Sequence, residues 1–129
     1  MDIEVRVQEE LEVLRERYPD LEFRPEGRWA RIPSYPLPDG WNAEVIQVAF
    51  QIVAPPAAPY GIYVPRGLLF NGQRPNNYGD AANAPFPGEW SVLSWAPEDG
   101  AWQPATTTRS GANYLNWALG FAVRFAQGI

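Results

Sequence analysis

The strongest constraint on the fold is a run of alternating side chains at residues 44–53. Four apolar residues occupy every second position of this run: Ile46, Val48, Phe50 and Ile52. Two glutamines, Gln47 and Gln51, lie among the residues between them. Successive side chains of a strand point to opposite faces, so this pattern predicts a β-strand with one face in the core.

An amphipathic helix is predicted near the start of the chain, over residues 3–18. Its apolar residues recur at i, i+4, i+7 and i+11, and they are Val7, Leu11, Leu14 and Tyr18. This spacing places them on one helix face. The charged residues are interpreted as the solvated face of the helix: Glu9, Glu10, Arg15 and Arg17.

A second helix is predicted near the end of the chain, over residues 112–127. Its apolar stripe is expected to contain Leu115, Leu119, Ala122 and either Phe125 or Ala126, widened by Tyr114, Trp117 and Phe121. Ser110 is predicted to cap the start of this helix and Gly128 to end it.

Shorter elements are predicted between the helices. Strands are expected at 21–24, 28–32, 61–64 and 68–70, a strand or turn at 90–95, a Pro-rich connector or sheet edge at 33–41, a loop at 54–60 and a turn at 97–100. Residues 71–88 are expected to form a long irregular segment, which is usually functional or mobile. The order predicts one α+β domain over residues 1–129.

The amino-acid composition excludes several kinds of chemistry. The chain has no cysteine and no histidine, which excludes zinc fingers, Cys–His nucleophile pairs and Ser-His-Asp triads. Five loop acids lack the spacing of a calcium loop and are interpreted as solvated charges: Asp39, Asp80, Glu89, Glu98 and Asp99. We therefore expect no metal site and no cofactor.

The charge and hydropathy of the chain restrict its partners and its location. The net charge of −5 argues against nucleic acid as the main partner. No apolar run approaches the roughly 18 residues of a membrane helix, and the N-terminus does not resemble a signal peptide. We expect a cytoplasmic protein. All ten basic residues are Arg. Two explanations are open: GC-rich codon usage, or a function beside enzymes that modify lysines, which would select against lysine in this chain.

Several short motifs follow the order found in ubiquitin-conjugating enzymes (the E2 family). These motifs are Ala54–Pro65, Arg74-Pro75-Asn76, Gly88-Glu89-Trp90-Ser91-Val92-Leu93 and Trp102-Gln103-Pro104. Together they resemble the Pro-rich region, the His-Pro-Asn tripeptide, the active-site stretch and the Trp-x-Pro segment of that family. The string Pro36-Leu37-Pro38-Asp39-Gly40-Trp41 is most similar to the bacterial subgroup called prokaryotic E2 family E.

The resemblance implies both a fold and a set of partners. The implied fold is UBC-like (RWD-like), with an N-terminal helix, an antiparallel meander sheet, a long irregular segment and a C-terminal helix. The implied partners are a ubiquitin-like protein, its activating enzyme or both. The subgroup is associated with bacterial conjugation operons, including antiphage defence, so the resemblance extends that expectation to this chain.

The chain departs from the family at the active position, where Ser91 or Ser94 stands in place of the cysteine. A serine hydroxyl needs an adjacent base to act as a nucleophile, and no histidine is present. The resemblance makes Asn76 the counterpart of the asparagine that stabilises the oxyanion in the family. The simpler interpretation of Asn76 is a turn residue that bonds the backbone.

Four residues are candidates for partner binding: Tyr60, Arg74, Trp90 and Trp95. Tryptophan is enriched at binding hot spots, but burial in the core is an equal alternative for Trp90 and Trp95. Trp102 and Pro104 are expected to be structural, with Trp102 packed between sheet and helix.

Three functions remain open from the sequence. The leading hypothesis is a non-catalytic accessory subunit that binds a ubiquitin-like protein or its activating enzyme. The second is an atypical carrier that holds an acyl group as a serine oxyester. The third is an interaction domain of the same shape with no link to ubiquitin-like proteins.

Overall fold

The computed structural model describes residues 3–53, 57–75, 78–97, 102–105 and 107–127. Helix α1 (Ile3–Arg17) precedes the sheet and helix α2 (Tyr114–Gln127) follows it. The strands are β1 (Glu22–Arg24), β2 (Trp29–Pro36), β3 (Val45–Gln51), β4 (Ile62–Pro65), β5 (Tyr78–Ala82) and β6 (Trp90–Leu93). All neighbours are antiparallel in the order β1-β2-β3-β4-β6-β5, which confirms the α+β prediction.

The two most regular patterns of the sequence form the elements that they predict. In β3, the alternating residues Ile46, Val48 and Phe50 are buried, as is Ile52 just beyond the strand. In α1, the predicted stripe is buried together with the tyrosine that follows the helix: Val7, Leu11, Leu14 and Tyr18. Both sets belong to one core between the sheet and the helices.

Strand β2 extends through part of the region that was predicted as a connector or sheet edge. Its pairing with β3 shifts register between Ile32 and Tyr35, around Pro33. Proline has no N–H for the ladder and is tolerated in strands at such irregularities. After the shift, Tyr35 pairs with Ile46, and its hydroxyl donates to the Ala118 carbonyl at 2.6 Å.

The predicted stripe of α2 is only partly correct, because Tyr114, Phe121 and Phe125 are buried as predicted but other members are not, and Ser110 is not the cap. The predicted end at Gly128 lies outside the described residues. The buried residues are Tyr114, Ala118, Phe121 and Phe125, whereas Leu119, Ala122 and Ala126 are exposed. Both stripes have helical spacing, and the one richer in aromatic rings takes the core because it buries more apolar area. The cap is Asn113, whose Oδ1 accepts the Asn116 N–H at 2.9 Å.

The predicted irregular segment at 71–88 contains strand β5 at one edge of the sheet. Its residues, Tyr78-Gly79-Asp80-Ala81-Ala82, lack alternating large apolar side chains, so they gave no strand signal. Residues 68–70 do not form the strand that was expected, because Phe70 makes only isolated bridges to Trp41 and Gln73.

The helices cover one face of the sheet, and a short segment covers part of the other. Ala49 points away from the helix side because its neighbours, Val48 and Phe50, point toward it. On this outer face, Ala49 packs with Phe86 and Trp90. Phe86 belongs to residues 83–88, which we call the strap.

Candidate functional site

A buried ion pair lies within α1. Arg6 Nε and Glu10 Oε2 are 3.2 Å apart, one helical turn along the chain, and both side chains are only 2% exposed. The prediction that Glu10 belongs to a solvated face is therefore wrong. Glu10 lies three residues after Val7 and four before Leu14, so the helical spacing already placed it on the buried face.

The ion pair connects α1 to two other parts of the chain. Arg6 Nη1 donates to the carbonyl of Ala105 at 2.7 Å, which anchors residues 102–105, called here the pre-helix segment. Glu10 Oε1 accepts the backbone N–H of Tyr114 at 3.0 Å, which anchors the first turn of α2. Burial raises the pKa of Glu10, opposed by the Tyr114 N–H and by Arg6.

A groove of about 490 Å³ lies between the pre-helix segment and the first turn of α2. We call it the α2 groove. Trp102 and Gln103 line it from the pre-helix segment, and Asn116 and Trp117 line it from the helix. All of the described residues that line it are uncharged. Its volume is within the usual range of ligand-binding pockets.

Gly111 allows the pre-helix segment to approach the start of α2. A Cβ at this position would lie 2.5 Å from the Ala105 nitrogen and 2.6 Å from the Gln103 carbonyl oxygen. The same Gln103 carbonyl accepts the N–H of Ala112 at 2.9 Å. Any larger residue would push these segments apart, so glycine here is a steric requirement of the groove.

Trp102 and Pro104, which were expected to be structural, are both partly buried. The Trp102 indole packs edge-on against the Tyr114 ring, with centroids 5.4 Å apart. Trp117 packs on the same tyrosine at 5.8 Å. The two tryptophans of the groove are therefore held by one buried ring at the start of α2.

The two serines proposed for the active position have different surroundings. Ser91 is 0% exposed inside β6, which pairs with β4 on one side and β5 on the other. Its Oγ donates to the Tyr78 hydroxyl at 2.8 Å. Ser94 directly follows β6 and is exposed. Asn76, the proposed oxyanion residue, lies outside the described residues.

Two of the four residues expected to bind a partner are buried in the core. Trp90 is 2% exposed and Trp95 is 1% exposed, which contradicts the expectation that their indoles form a recognition surface. Trp95 packs edge-on against Phe125 with centroids 4.9 Å apart. The Arg124 guanidinium lies over the same indole ring, 5.4 Å from its centroid.

The other two expected binding residues are on the surface. Tyr60 is 72% exposed and follows the buried Pro59. Arg74 is exposed, and its guanidinium lies 5.3 Å from the centre of the Tyr78 ring. The Tyr78 hydroxyl also accepts the N–H of Gly67 at 3.1 Å. Arg74 is therefore supported by the same tyrosine that bonds Ser91.

The strap forms a second aromatic surface on the outer face of the sheet. The Phe86 ring lies 5.4 Å from the Arg24 guanidinium and 5.7 Å from that of Arg31. The Phe86 carbonyl accepts the Trp90 indole N–H at 3.0 Å, and the Pro87 carbonyl accepts the Gln47 amide at 3.2 Å. Indole and amide donors therefore fix the strap backbone.

Some kinds of site are not found in the part of the chain that the structure describes. It contains no group of three or more Asp and Glu side chains placed to hold a metal ion. None of the described helices has the length and apolar character needed to cross a membrane.

Comparison with protein-family models, with curated proteins and with solved structures found no match to this chain.

Proposed function

We propose that this protein is a non-catalytic, E2-like subunit of a bacterial ubiquitin-like conjugation system. It would bind a ubiquitin-like protein, its activating enzyme or both. Two features support the E2-like fold. An N-terminal helix, an antiparallel sheet and a C-terminal helix follow in the expected order. The Trp102-Gln103-Pro104 motif lies in the segment that packs against the start of α2.

The observation that carries the non-catalytic part of the proposal is the burial of Ser91. An acyl carrier must present its nucleophile to a protein-sized donor and then to an acceptor. Ser91 lies at 0% exposure inside the sheet, with its hydroxyl bonded to Tyr78. A hydroxyl in that position has no access to a partner and no strong base beside it in this bond. The burial of Ser91 therefore favours binding over acyl transfer at this position.

A serine oxyester carrier is the second candidate, and the exposure of Ser94 is the observation that favours it. Ser94 follows the motif that resembles the active-site stretch, and it is accessible to a partner. An oxyester at Ser94 would be a poorer acyl donor than the thioester of the family. The two candidates differ in whether a covalent adduct forms.

The test is incubation with a bacterial ubiquitin-like protein and its activating enzyme, together with ATP. We expect saturable binding to one of them in a titration and no adduct on a denaturing gel. Ser94→Ala is the matched variant, since it alters only an exposed hydroxyl, and it should bind as the wild type does.

Two results would contradict the proposal. An adduct that hydroxylamine cleaves and that Ser94→Ala abolishes would establish the carrier instead. Binding to neither protein, with no adduct, would exclude both candidates. An interaction domain unrelated to ubiquitin-like proteins would then be the explanation to pursue.

A further inference from the structure

A two-residue hairpin turn connects Phe70 to Gln73 at the surface of the domain. The Phe70 N–H donates to the Gln73 carbonyl at 2.8 Å, and the Gln73 N–H donates to the Phe70 carbonyl at 3.0 Å. The residues between them, Asn71 and Gly72, both have positive φ, at 50° and 79°. These are the features of a type I′ turn, for which Asn-Gly is a strongly preferred pair.

An asparagine that precedes glycine can lose its side-chain amide without an enzyme. The glycine nitrogen attacks the asparagine Cγ, a new N–Cγ bond forms, and the Cγ–Nδ2 bond breaks. Ammonia leaves with the proton of the attacking N–H, and a succinimide ring remains. Water then opens the ring. Cleavage of the N–Cγ bond gives aspartate, whereas cleavage at the former backbone carbonyl gives isoaspartate, whose main chain runs through Cβ and Cγ.

The backbone of the turn is close to the conformation that this ring closure requires. The ring closes when the asparagine has the conformation of the first central residue of a type II′ turn. Types I′ and II′ share a positive φ at that residue and differ by a rotation of the central peptide. Gly72 permits this rotation because glycine adopts both signs of φ. The two hairpin bonds do not involve the Gly72 nitrogen, which is the attacking atom.

The surroundings of the turn leave room for the reaction. Asn71 and Gly72 are both exposed, so water reaches the site. A Cβ placed on Gly72 would meet no described atom within 4 Å. The central peptide can therefore rotate without displacing a described neighbour.

The other described asparagines lack at least one of these conditions. Asn42 is held at both ends of its amide by backbone groups. The nitrogens that follow Asn113 and Asn116 already donate hydrogen bonds, one to a carboxylate and one to a carbonyl. Asn83 is exposed, but the residue after it is alanine, whose Cβ hinders the approach of the nitrogen. Reaction is therefore favoured at Asn71.

Isoaspartate at position 71 would disrupt contacts that lead to the core. The main chain would be longer by a methylene group, so the paired bonds of Phe70 and Gln73 would lose their register. The Asn71 N–H also donates to the Gly40 carbonyl at 2.7 Å. The Phe70 ring packs on Trp41 with centroids 5.1 Å apart, and the Trp41 indole N–H is bonded to a carbonyl of α2. A change in the turn is therefore reported at Trp41.

We propose that the Asn71–Gly72 turn is a site of spontaneous deamidation in the folded protein, and that its isoaspartate product releases Phe70 from Trp41. Water is the only co-reactant. The product carries an added carboxylate, so the domain acquires a second, age-dependent form. The inference goes beyond the proposed function and does not depend on it, because it requires neither a ubiquitin-like protein nor an activating enzyme.

The test is prolonged incubation of the full chain at mildly alkaline pH, followed by mass spectrometry of its proteolytic peptides. A blocked peptide that copies residues 68–75 is incubated in parallel. We expect Asn71 to convert in the folded chain while Asn83 stays intact. Methylation by an isoaspartyl methyltransferase with S-adenosylmethionine distinguishes isoaspartate from aspartate. In the isoaspartate form, the NMR signal of the Trp41 indole N–H should shift and that of Trp90 should not.

A matched pair of variants locates the reaction. Asn71→Gly removes the reactive amide, and the resulting Gly-Gly pair still favours a type I′ turn. Asn83→Gly removes another exposed asparagine. We expect Asn71→Gly to slow the formation of isoaspartate in the full chain at least about tenfold, and Asn83→Gly to change it less than about twofold.

Three outcomes would overturn the proposal. One is an intact Asn71 in the folded chain under conditions that convert the peptide. Another is equal formation of isoaspartate in Asn71→Gly and the wild type. The third is an unchanged Trp41 indole signal in the isoaspartate form, which would mean that the turn does not communicate with the core. Thermal unfolding of the wild type and both variants establishes that each is folded at the temperature of the incubation.

Discussion

The two faces of the sheet are closed in different ways. On the helix side, apolar residues from α1, α2 and four of the strands form one continuous core. On the outer side, a much smaller cluster of Ala49, Phe86 and Trp90 is closed by the strap. Two arginines lie beside the Phe86 ring, and side-chain donors bond the strap backbone.

The two faces therefore contribute differently to stability: the helix-side core maintains the fold, and the strap is a surface segment that contributes less. Hydrophobic burial scales with the apolar area removed from water, so the helix side supplies most of the stabilisation. The strap depends on one aromatic ring and on polar contacts near solvent, which contribute less each. We therefore expect substitutions in the strap to lower the stability of the protein without unfolding it.

The largest expected effect comes from removing a ring on the helix side. Phe121→Ala should lower the free energy of unfolding by about 4 kcal/mol, because the packed core around it cannot collapse into the space. Phe86→Ala should lower it by only about 2 kcal/mol, because the strap lies at the surface and can settle. Chemical denaturation of both variants measures the difference. Equal losses would mean that the two faces form one cooperative core.

A somewhat smaller loss is expected from breaking the buried ion pair. Arg6→Ala should lower the free energy of unfolding by about 3 kcal/mol, because Glu10 would remain buried without its partner. The double variant Arg6→Met, Glu10→Gln removes both charges but retains an acceptor for the Tyr114 N–H. It should recover about half of that loss. A double variant no more stable than Arg6→Ala would show that the charges themselves are required.

The smallest effect is a pH dependence that originates in Glu10. Its folded-state pKa is raised above the ordinary value of 4.5, first by burial. A raised pKa means that the folded state binds the proton more tightly than the unfolded chain. The stabilisation is therefore present below about pH 4.5 and is lost as the pH rises through the folded value.

Glu10→Gln provides the comparison, since exposed carboxyls such as Glu16 and Glu22 titrate in both proteins. The wild type should lose stability relative to this variant between about pH 4 and about pH 7. Denaturant titrations at the two values measure the change. If the wild type instead gains stability relative to Glu10→Gln over this range, Arg6 lowers the pKa of Glu10 more than burial raises it.

The elements that were predicted correctly carry strong local periodicity. The period of two in β3 and the helical spacing in α1 each specify one buried face. The α+β class followed from the order of such elements. In α2, two apolar stripes with the same spacing lie side by side, so the pattern specified a helix without specifying which stripe is buried.

The candidate site was largely beyond the reach of sequence patterns. Trp102 was singled out, but Gly111, Asn116 and Trp117 were not connected to it, because folding brings the pre-helix segment against α2. The helical spacing of Glu10 indicated a buried position, but its charge led to the prediction of a solvated one. The Ala105 carbonyl, which accepts from Arg6, lies 99 residues away along the chain, and no local pattern reports a contact of that range.

The sequence by itself determined where the chain forms its helices and β3, because those choices depend on the spacing of apolar residues along a short stretch. It also excluded cysteine and histidine chemistry, which depends only on which residues are present. The tertiary structure alone decided the pairing of β5, the burial of Ser91 and the shape of the α2 groove. Each of these depends on contacts between distant segments, whose free energies become favourable only when the whole chain is packed.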